Sequence, residues 1–419
     1  MNLTEFPSKK LKTVLSELRS DNQFTANVTE WKILDAKPAQ FSGFPDDIDG
    51  KLISTLRQVG IDQLYTHQEQ AYRSIRAGKN VVVVTPTASG KTLCYNLPVL
   101  QTILEEKESR ALYMFPTKAL SQDQVVELQK IVTDLGSDIK TYTFDGDTPA
   151  DARRAIRTSG HIVVTNPDML HQGILPHHTR WIKLFENLKF VVIDEIHHYR
   201  GVFGSNLSNV IRRLKRICKF YHSNPTFICC SATILNPKEL AEKIIEEPFQ
   251  LIDTNGAPQG EKHFIFYNPP VVNQELGIRR SVVKEAARIA RRFLQHNIQS
   301  ILFARSRLRV EILTKYLKEM MPRSRKPTDK IKGYRGGYLP LERREIEKGL
   351  RNGSILGVVS TNALELGIDI GQLDACIMVG YPGTVASTWQ QAGRAKSGCF
   401  RSNFGRLKRS YRSVHHQSS

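Results

Sequence analysis

Thr85-Pro86-Thr87-Ala88-Ser89-Gly90-Lys91-Thr92 organises this chain. Four valines, Val81 to Val84, precede it, and a helix-patterned segment, Leu93 to Glu108, follows. A buried strand, a loop ending Gly-Lys-Thr and then a helix is the context of a phosphate-binding loop. The loop's backbone N–H groups and the helix N-terminus together form an anion cradle. Thr87, Ala88, Ser89, Gly90, Lys91 and Thr92 are therefore candidate nucleotide contacts. Lys91 is placed to reach the β- and γ-phosphates, and the Thr92 hydroxyl to ligate Mg²⁺. Thr85 stands where the usual pattern has its first glycine, so the match departs at one position.

Upstream lies Leu64-Tyr65-Thr66-His67-Gln68-Glu69-Gln70-Ala71. A glutamine amide can pair with adenine N6 and N7, which makes Gln68 a candidate for the base. Downstream, short apolar runs alternate with helical patterns. Expected strands are Val81–Thr85, Ala111–Phe115, Lys140–Phe144, Ile162–Thr165, Phe190–Asp194 and Phe227–Cys230. That alternation predicts a parallel sheet flanked by helices, with ligands beyond the strands' carboxyl ends. Phe190-Val191-Val192-Ile193-Asp194-Glu195-Ile196-His197 ends such a strand in two acids, which are costly there without work or partners. Asp194 can hold the Mg²⁺ that bridges the phosphates, and Glu195 can polarise the attacking water. Polar clusters at other strand ends, Pro116-Thr117-Lys118 and Thr165-Asn166-Pro167, offer hydroxyls, amides and helix N-termini. Such groups hold backbone phosphates without reading sequence.

A loop at Asp253–Pro258 separates a second alternating unit, with expected strands Phe264–Tyr267, Ser300–Phe303, Ile355–Ser360 and Ala375–Val379. The expected organisation is a prelude over 1–50, one domain over 51–255, a second over 256–395 and a basic tail over 396–419. The chain has 419 residues, 40% of them hydrophobic, enough for two or three cored domains. Its net charge of +19 favours a polyanionic partner, nucleic acid first. No apolar run reaches the roughly 18 residues of a membrane span, and Met1 to Leu18 has no apolar core of a secretory signal. Cytoplasm is the expected compartment. The six cysteines form no Cys-x-x-Cys pair, so a zinc site is not expected.

The ordered set resembles a superfamily 2 helicase of the DEAD/DEAH type. Gln68 matches its Q motif, Thr87 to Thr92 motif I, Pro116 to Leu120 motif Ia and Asp194 to His197 motif II. Ser231-Ala232-Thr233 matches motif III, Ser360 to Asp369 motif V, and Gln390 to Arg394 the start of motif VI. Tyr199 to Asn206 and Tyr334-Arg335-Gly336-Gly337-Tyr338 look like the MrfA-type DNA-repair branch, whose members carry a C-terminal cysteine-rich domain. The resemblance implies two tandem RecA-like domains, both α/β, with ATP and Mg²⁺ between them. It implies single-stranded DNA across both, 3′-to-5′ movement, and an ATP hydrolase. Site residues follow: Lys91, Asp194, Glu195 and Arg394 for catalysis; Gln68, Thr87 to Thr92 and Asp369 for nucleotide; Thr92 and Asp194 for metal. The backbone-contact candidates are Thr117, Lys118, Thr165, Asn166, Ser306, Arg307, Thr361 and Asn362.

Motif VI departs from Gln-x-x-Gly-Arg-x-x-Arg: Ser397 stands where the second arginine belongs. From Lys396 to Ser419 there are six Lys or Arg and no acid, without strand or helix period. The expectation is a chain truncated within motif VI, ending in residues from a shifted frame; the alternative is a genuine basic tail. The competing functions are a DNA helicase, an ATP- and nucleic-acid-binding remnant that hydrolyses weakly, and an RNA helicase of the same superfamily. Oligomeric state is not legible.

Overall fold

A computed structural model describes residues 8–321, 330–365, 370–371 and 373–402. The chain forms two compact units. Pro38–Pro258 makes the central unit; the residues up to Lys37 and from Gln259 onward make the flanking unit. Strand β1 is Val28–Leu34. The central unit contributes β2 (Val81–Val84), β3 (Arg110–Met114), β4 (Thr141–Thr143) and β5 (Ile162–Thr165). It continues with β6 (Leu188–Ile193), β7 (Thr226–Ser231) and β8 (Gln250–Ile252). The flanking unit adds β9 (Lys262–Tyr267), β10 (Ser300–Phe303) and β11 (Ile331–Tyr334). Its last strands are β12 (Gly357–Ser360), β13 (Leu373–Met378) and β14 (Ala395–Ser402).

The central sheet runs β8-β2-β7-β6-β3-β5-β4, with every pair parallel. The four valines of β2 show why it lies inside the sheet. Successive side chains point to opposite faces. Val81 and Val83 enter one apolar layer, with Leu93, Tyr95 and Leu97 of the following helix. Val82 and Val84 enter the other, with Trp181, Ile193 and Leu214. A strand wanted on both faces must be apolar throughout, which is what the valine run provides.

The flanking sheet runs β1-β9-β14-β13-β10-β12-β11. Only β1 is antiparallel to its neighbour, β9; the other pairs are parallel. This sheet corrects two expectations. The first concerns the prelude over 1–50. Helix Lys9–Ser20 carries Leu11, Val14, Leu15 and Leu18 on one stripe, all buried. They share a core with Ala286, Ala290 and Phe293 of helix Val282–Gln295. Asp21 pairs with Arg292, and Glu17 with His296 at 3.4 Å. An amphipathic stripe and an open strand edge both need a partner, and the flanking unit supplies both. The segment up to Lys37 is thus part of that unit, and only the rest of 1–50 leads into the central one.

The second correction concerns the tail. Its first residues, expected without strand period, form β14, hydrogen-bonded between β9 and β13. A slot between two parallel strands satisfies backbone groups whatever the side chains, which is why no pattern announced it. Residues 403–419 lie outside the described residues.

Leu18 is fully buried in the flanking core. Leu18→Ala is expected to cost about 2–5 kcal/mol, the usual range for a buried leucine truncation. Urea unfolding of the whole chain should show this loss in the flanking unit's transition alone. An unchanged curve would detach the N-terminal helix from that core.

Candidate functional site

The phosphate-type loop leaves β2 at Val84 and enters helix Lys91–Glu105. Ala88 and Gly90 both adopt positive φ, 62° and 76°. At Gly90 the glycine is required twice: by its φ and because a Cβ would sit 2.6 Å from Gln68 Nε2. Thr85, at the irregular first position, has its hydroxyl 2.5 Å from that of Ser89, and both are buried. The departure from glycine thereby closes the base of the loop. Thr87 is half-buried and Ala88 exposed. Lys91 Nζ donates to the carbonyls of Thr85 (2.8 Å) and Pro86 (3.1 Å).

Gln68 and its neighbour His67 hold the loop from behind. Gln68 Nε2 donates to Gly90 O at 3.0 Å, and its Oε1 accepts from Tyr65 N–H at 2.9 Å. Here, then, Gln68 braces the loop rather than presenting its whole amide edge to a base. His67 Nδ1 accepts from Gly256 N–H at 3.2 Å, so its proton sits on Nε2, 3.1 Å from Ser89 O. Burial is the main reason its imidazole is pushed down to about 4. Sequence reasoning passed over His67; its place beside Gln68 was the available signal.

Asp194 and Glu195 follow β6. Asp194 is only 8% exposed. Its Oδ1 accepts from Glu195 N–H at 2.8 Å, and the Tyr95 hydroxyl lies 3.5 Å from Oδ2. Burial pushes its carboxyl up, and the nearby Lys91 ammonium works the other way. Glu195 has φ 52°, a left-handed conformation that costs a non-glycine residue energy. His197 Nδ1 lies 3.2 Å from Glu195 Oε2 and accepts from Ala232 N–H at 3.3 Å. Burial pushes the ring down to about 3, so it is neutral and the Glu195 contact is no ion pair. Through the Ala232 N–H the ring ties the acidic strand end to Ser231-Ala232-Thr233 at the end of β7.

The donor set suits a hard cation. Thr92 offers a hydroxyl, and Asp194 a buried carboxylate with a single short hydrogen bond among those above. Among the described residues no group of three or more His, Cys, Asp or Glu could hold a metal alone. Protein oxygens would form only part of a Mg²⁺ shell, the rest being phosphate and water, which is the usual way this ion is held.

The backbone-contact candidates show a repeated design. Thr117 caps helix Lys118–Asp134, accepting from Leu120 N–H at 3.4 Å, and Asn166 caps the next helical turn, accepting from Met169 N–H at 2.8 Å. They follow β3 and β5, adjacent and parallel. In the flanking unit Ser306 caps helix Arg307–Met320, accepting from Arg309 N–H at 3.3 Å, and Thr361 accepts from Ala363 N–H at 3.4 Å. They follow β10 and β12, again adjacent and parallel. Lys118, Arg307 and Asn362 are exposed. Lys118 Nζ is 2.7 Å from Asp147 Oδ2. Thr165 is a correction: it is 2% exposed and its hydroxyl donates to Phe144 O at 2.8 Å, so it braces the sheet.

Arg394, expected in catalysis, is buried and engaged within its own unit. It is 6% exposed, and Nη2 donates to the Glu365 carbonyl at 3.2 Å. Gln391 Nε2 donates to Glu365 Oε2 at 3.1 Å, and Ser387 to Oε1. Burial raises the Glu365 carboxyl. These residues tie motif VI to motif V inside one unit. Asp369 lies outside the described residues.

Comparison with known proteins follows the same division. Residues 65–240 match the DEAD/DEAH box helicase family, and residues 285–397 the helicase conserved C-terminal domain. The chain belongs to the DEAD/DEAH-box helicases. It is 59% identical over 384 residues to the uncharacterized ATP-dependent helicase YprA of Bacillus subtilis, covering 92% of this chain and 51% of that protein. It is 38% identical to the ATP-dependent helicase hrq1 of Schizosaccharomyces pombe, covering 92% and 37%. The crystal structure of the DUF1998 helicase MrfA bound to DNA superposes with a TM-score of 0.90 at 56% identity, over 95% of this chain and 54% of that one. The chain therefore spans about half the length of such helicases, or less. Among the described residues no helix is long and apolar enough to cross a membrane.

His67 gives a pH prediction for this chain. Its folded value, about 4, lies below the ordinary 6.5, so between them the unfolded chain binds more protons. Stability of the central unit should fall as pH drops through 6.5 and level off below about 4. Thermal midpoints at pH 7 and pH 5 check this; His67→Gln, which keeps a donor and an acceptor, should flatten the difference.

Proposed function

We propose that this chain is the motor of an ATP-dependent DNA helicase acting in repair, moving 3′ to 5′ on single-stranded DNA. The observation that carries the reading is the gathering, beyond the carboxyl ends of β2 and β6, of Thr92, the buried Asp194 and Lys91, whose charge acts on Asp194. The relatives' description as ATP-dependent helicases, and a DNA-bound relative at 56% identity, supply the substrate class.

The chain's own groups do the following. The loop from Thr87 to Thr92 wraps the phosphates with backbone N–H groups, and Lys91 exchanges its two carbonyl contacts for phosphate oxygens. Thr92 and Asp194 would hold Mg²⁺, which would supply charge compensation for the phosphates. Glu195 orients and polarises the attacking water. Thr117, Lys118 and Asn166 hold DNA phosphates on one unit; Ser306, Arg307, Thr361 and Asn362 hold them on the other. Neither set reads bases, so binding is sequence-tolerant and weakened by salt.

Hydrolysis of ATP with and without single-stranded DNA tests the proposal. Turnover should rise with DNA, and Lys91→Ala should abolish it while leaving the fold intact. Turnover indifferent to DNA, or surviving Lys91→Ala, would contradict it. Single-stranded RNA in place of DNA tests the substrate class: equal stimulation would favour the RNA-helicase reading. One observation favours a second reading, a nucleotide-binding protein that turns over slowly: Ser397 stands where the family has its second motif VI arginine. Under that reading basal turnover is low and Ser397→Arg raises it; an unchanged rate would remove Ser397 from the chemistry.

A further inference from the structure

Beneath the phosphate loop lies a small polar network that none of the assigned roles uses. Gln124 projects from helix Lys118–Asp134, one turn beyond its first. Its Oε1 accepts from the Thr92 hydroxyl at 3.0 Å and from the Tyr95 hydroxyl at 3.1 Å. Tyr95 is 1% exposed, and burial together with the Asp194 charge keeps its phenol protonated. The same hydroxyl lies 3.5 Å from Asp194 Oδ2. One amide oxygen therefore touches one of the two cation-ligand candidates directly and holds the tyrosine that packs beside the other.

The orientation of that amide matters. A threonine hydroxyl has one proton and two lone pairs, and only the lone pairs can ligate a cation. With Gln124 Oε1 as acceptor, the Thr92 proton points away from the phosphate side. A donor in the same place would occupy a lone pair and turn the proton toward the cation. A carbonyl oxygen has two lone pairs, enough for Thr92 and Tyr95 together. We propose that Gln124 is a positioning residue for the nucleotide-bound Mg²⁺: it accepts the Thr92 proton so that the Thr92 oxygen faces the ion. Gln124 does not itself touch the ion or the nucleotide. The proposal rests on the ATP-motor reading of this site.

The test is a Mg²⁺ titration of a fluorescent, non-hydrolysable ATP analogue binding to the whole chain, beside the same binding in EDTA. Gln124→Met keeps the side-chain length and removes the acceptor; Gln124→Glu keeps an acceptor. Loss of one ordinary hydrogen bond should raise the Mg²⁺ midpoint of Gln124→Met about five- to tenfold. Its affinity in EDTA should match wild type, and Gln124→Glu should keep the wild-type midpoint or a lower one. An unchanged midpoint in Gln124→Met overturns the proposal. So does an equal loss of affinity with and without Mg²⁺, which would mark a merely structural role. If Gln124→Met does not fold, Gln124→Glu decides: a raised midpoint overturns the proposal and a retained one supports it. Wild type binding the analogue without any Mg²⁺ dependence would instead overturn the cation-site reading, and the proposal with it.

Discussion

A carboxylate buried at the end of a parallel strand is the constraint on which the central unit turns. Asp194 is 8% exposed, with one backbone N–H at 2.8 Å and a more distant phenol. Removing an ionised carboxylate from water costs several kcal/mol unless a cation or several donors compensate. Lys91 compensates in part through its field, while its ammonium is bonded to two loop carbonyls. The remaining deficit is one that a cation at this strand end would offset. The valine strand, separated from β6 only by β7, the left-handed Gly90, and the His67–Gln68 brace hold the loop in place.

The second principle is repetition. Each unit places two side-chain-capped helix N-termini after two adjacent parallel strands, Thr117 with Asn166 and Ser306 with Thr361. A helix start offers unpaired N–H groups and a favourable dipole to an anion. Only the central unit carries the Gly-Lys-Thr loop, so what repeats between the units is the pair of capped strand ends and not the phosphate-type loop.

Much of this was legible in the sequence. Apolar runs such as Val81–Val84 and Ser300–Phe303 announce buried strands directly, because both faces demand apolar side chains. The loop, the two acids and the capping residues are chemical signatures at fixed offsets. What escaped was set by tertiary context. The N-terminal helix has a stripe but no sign of which core it enters, and β1 finds β9 more than 200 residues away. β14 is held by its neighbours' backbones rather than by a pattern of its own. Thr165 looked like its neighbour Asn166, yet the strand's alternation turns its hydroxyl inward to Phe144 O. Arg394 was named from its place in motif VI, and only the fold shows its guanidinium bonded to the Glu365 carbonyl.

The most direct measurement of the central claim compares Asp194→Asn with wild type by thermal unfolding at pH 7, first alone and then with Mg²⁺ and a non-hydrolysable ATP analogue. Ligand that binds only the folded state raises the midpoint by mass action. If Asp194 is a buried charge kept for a cation, the variant should be the more stable protein without ligand and should lose the Mg²⁺-dependent part of the rise. A variant less stable without ligand, or one retaining the full Mg²⁺-dependent rise, would contradict the account.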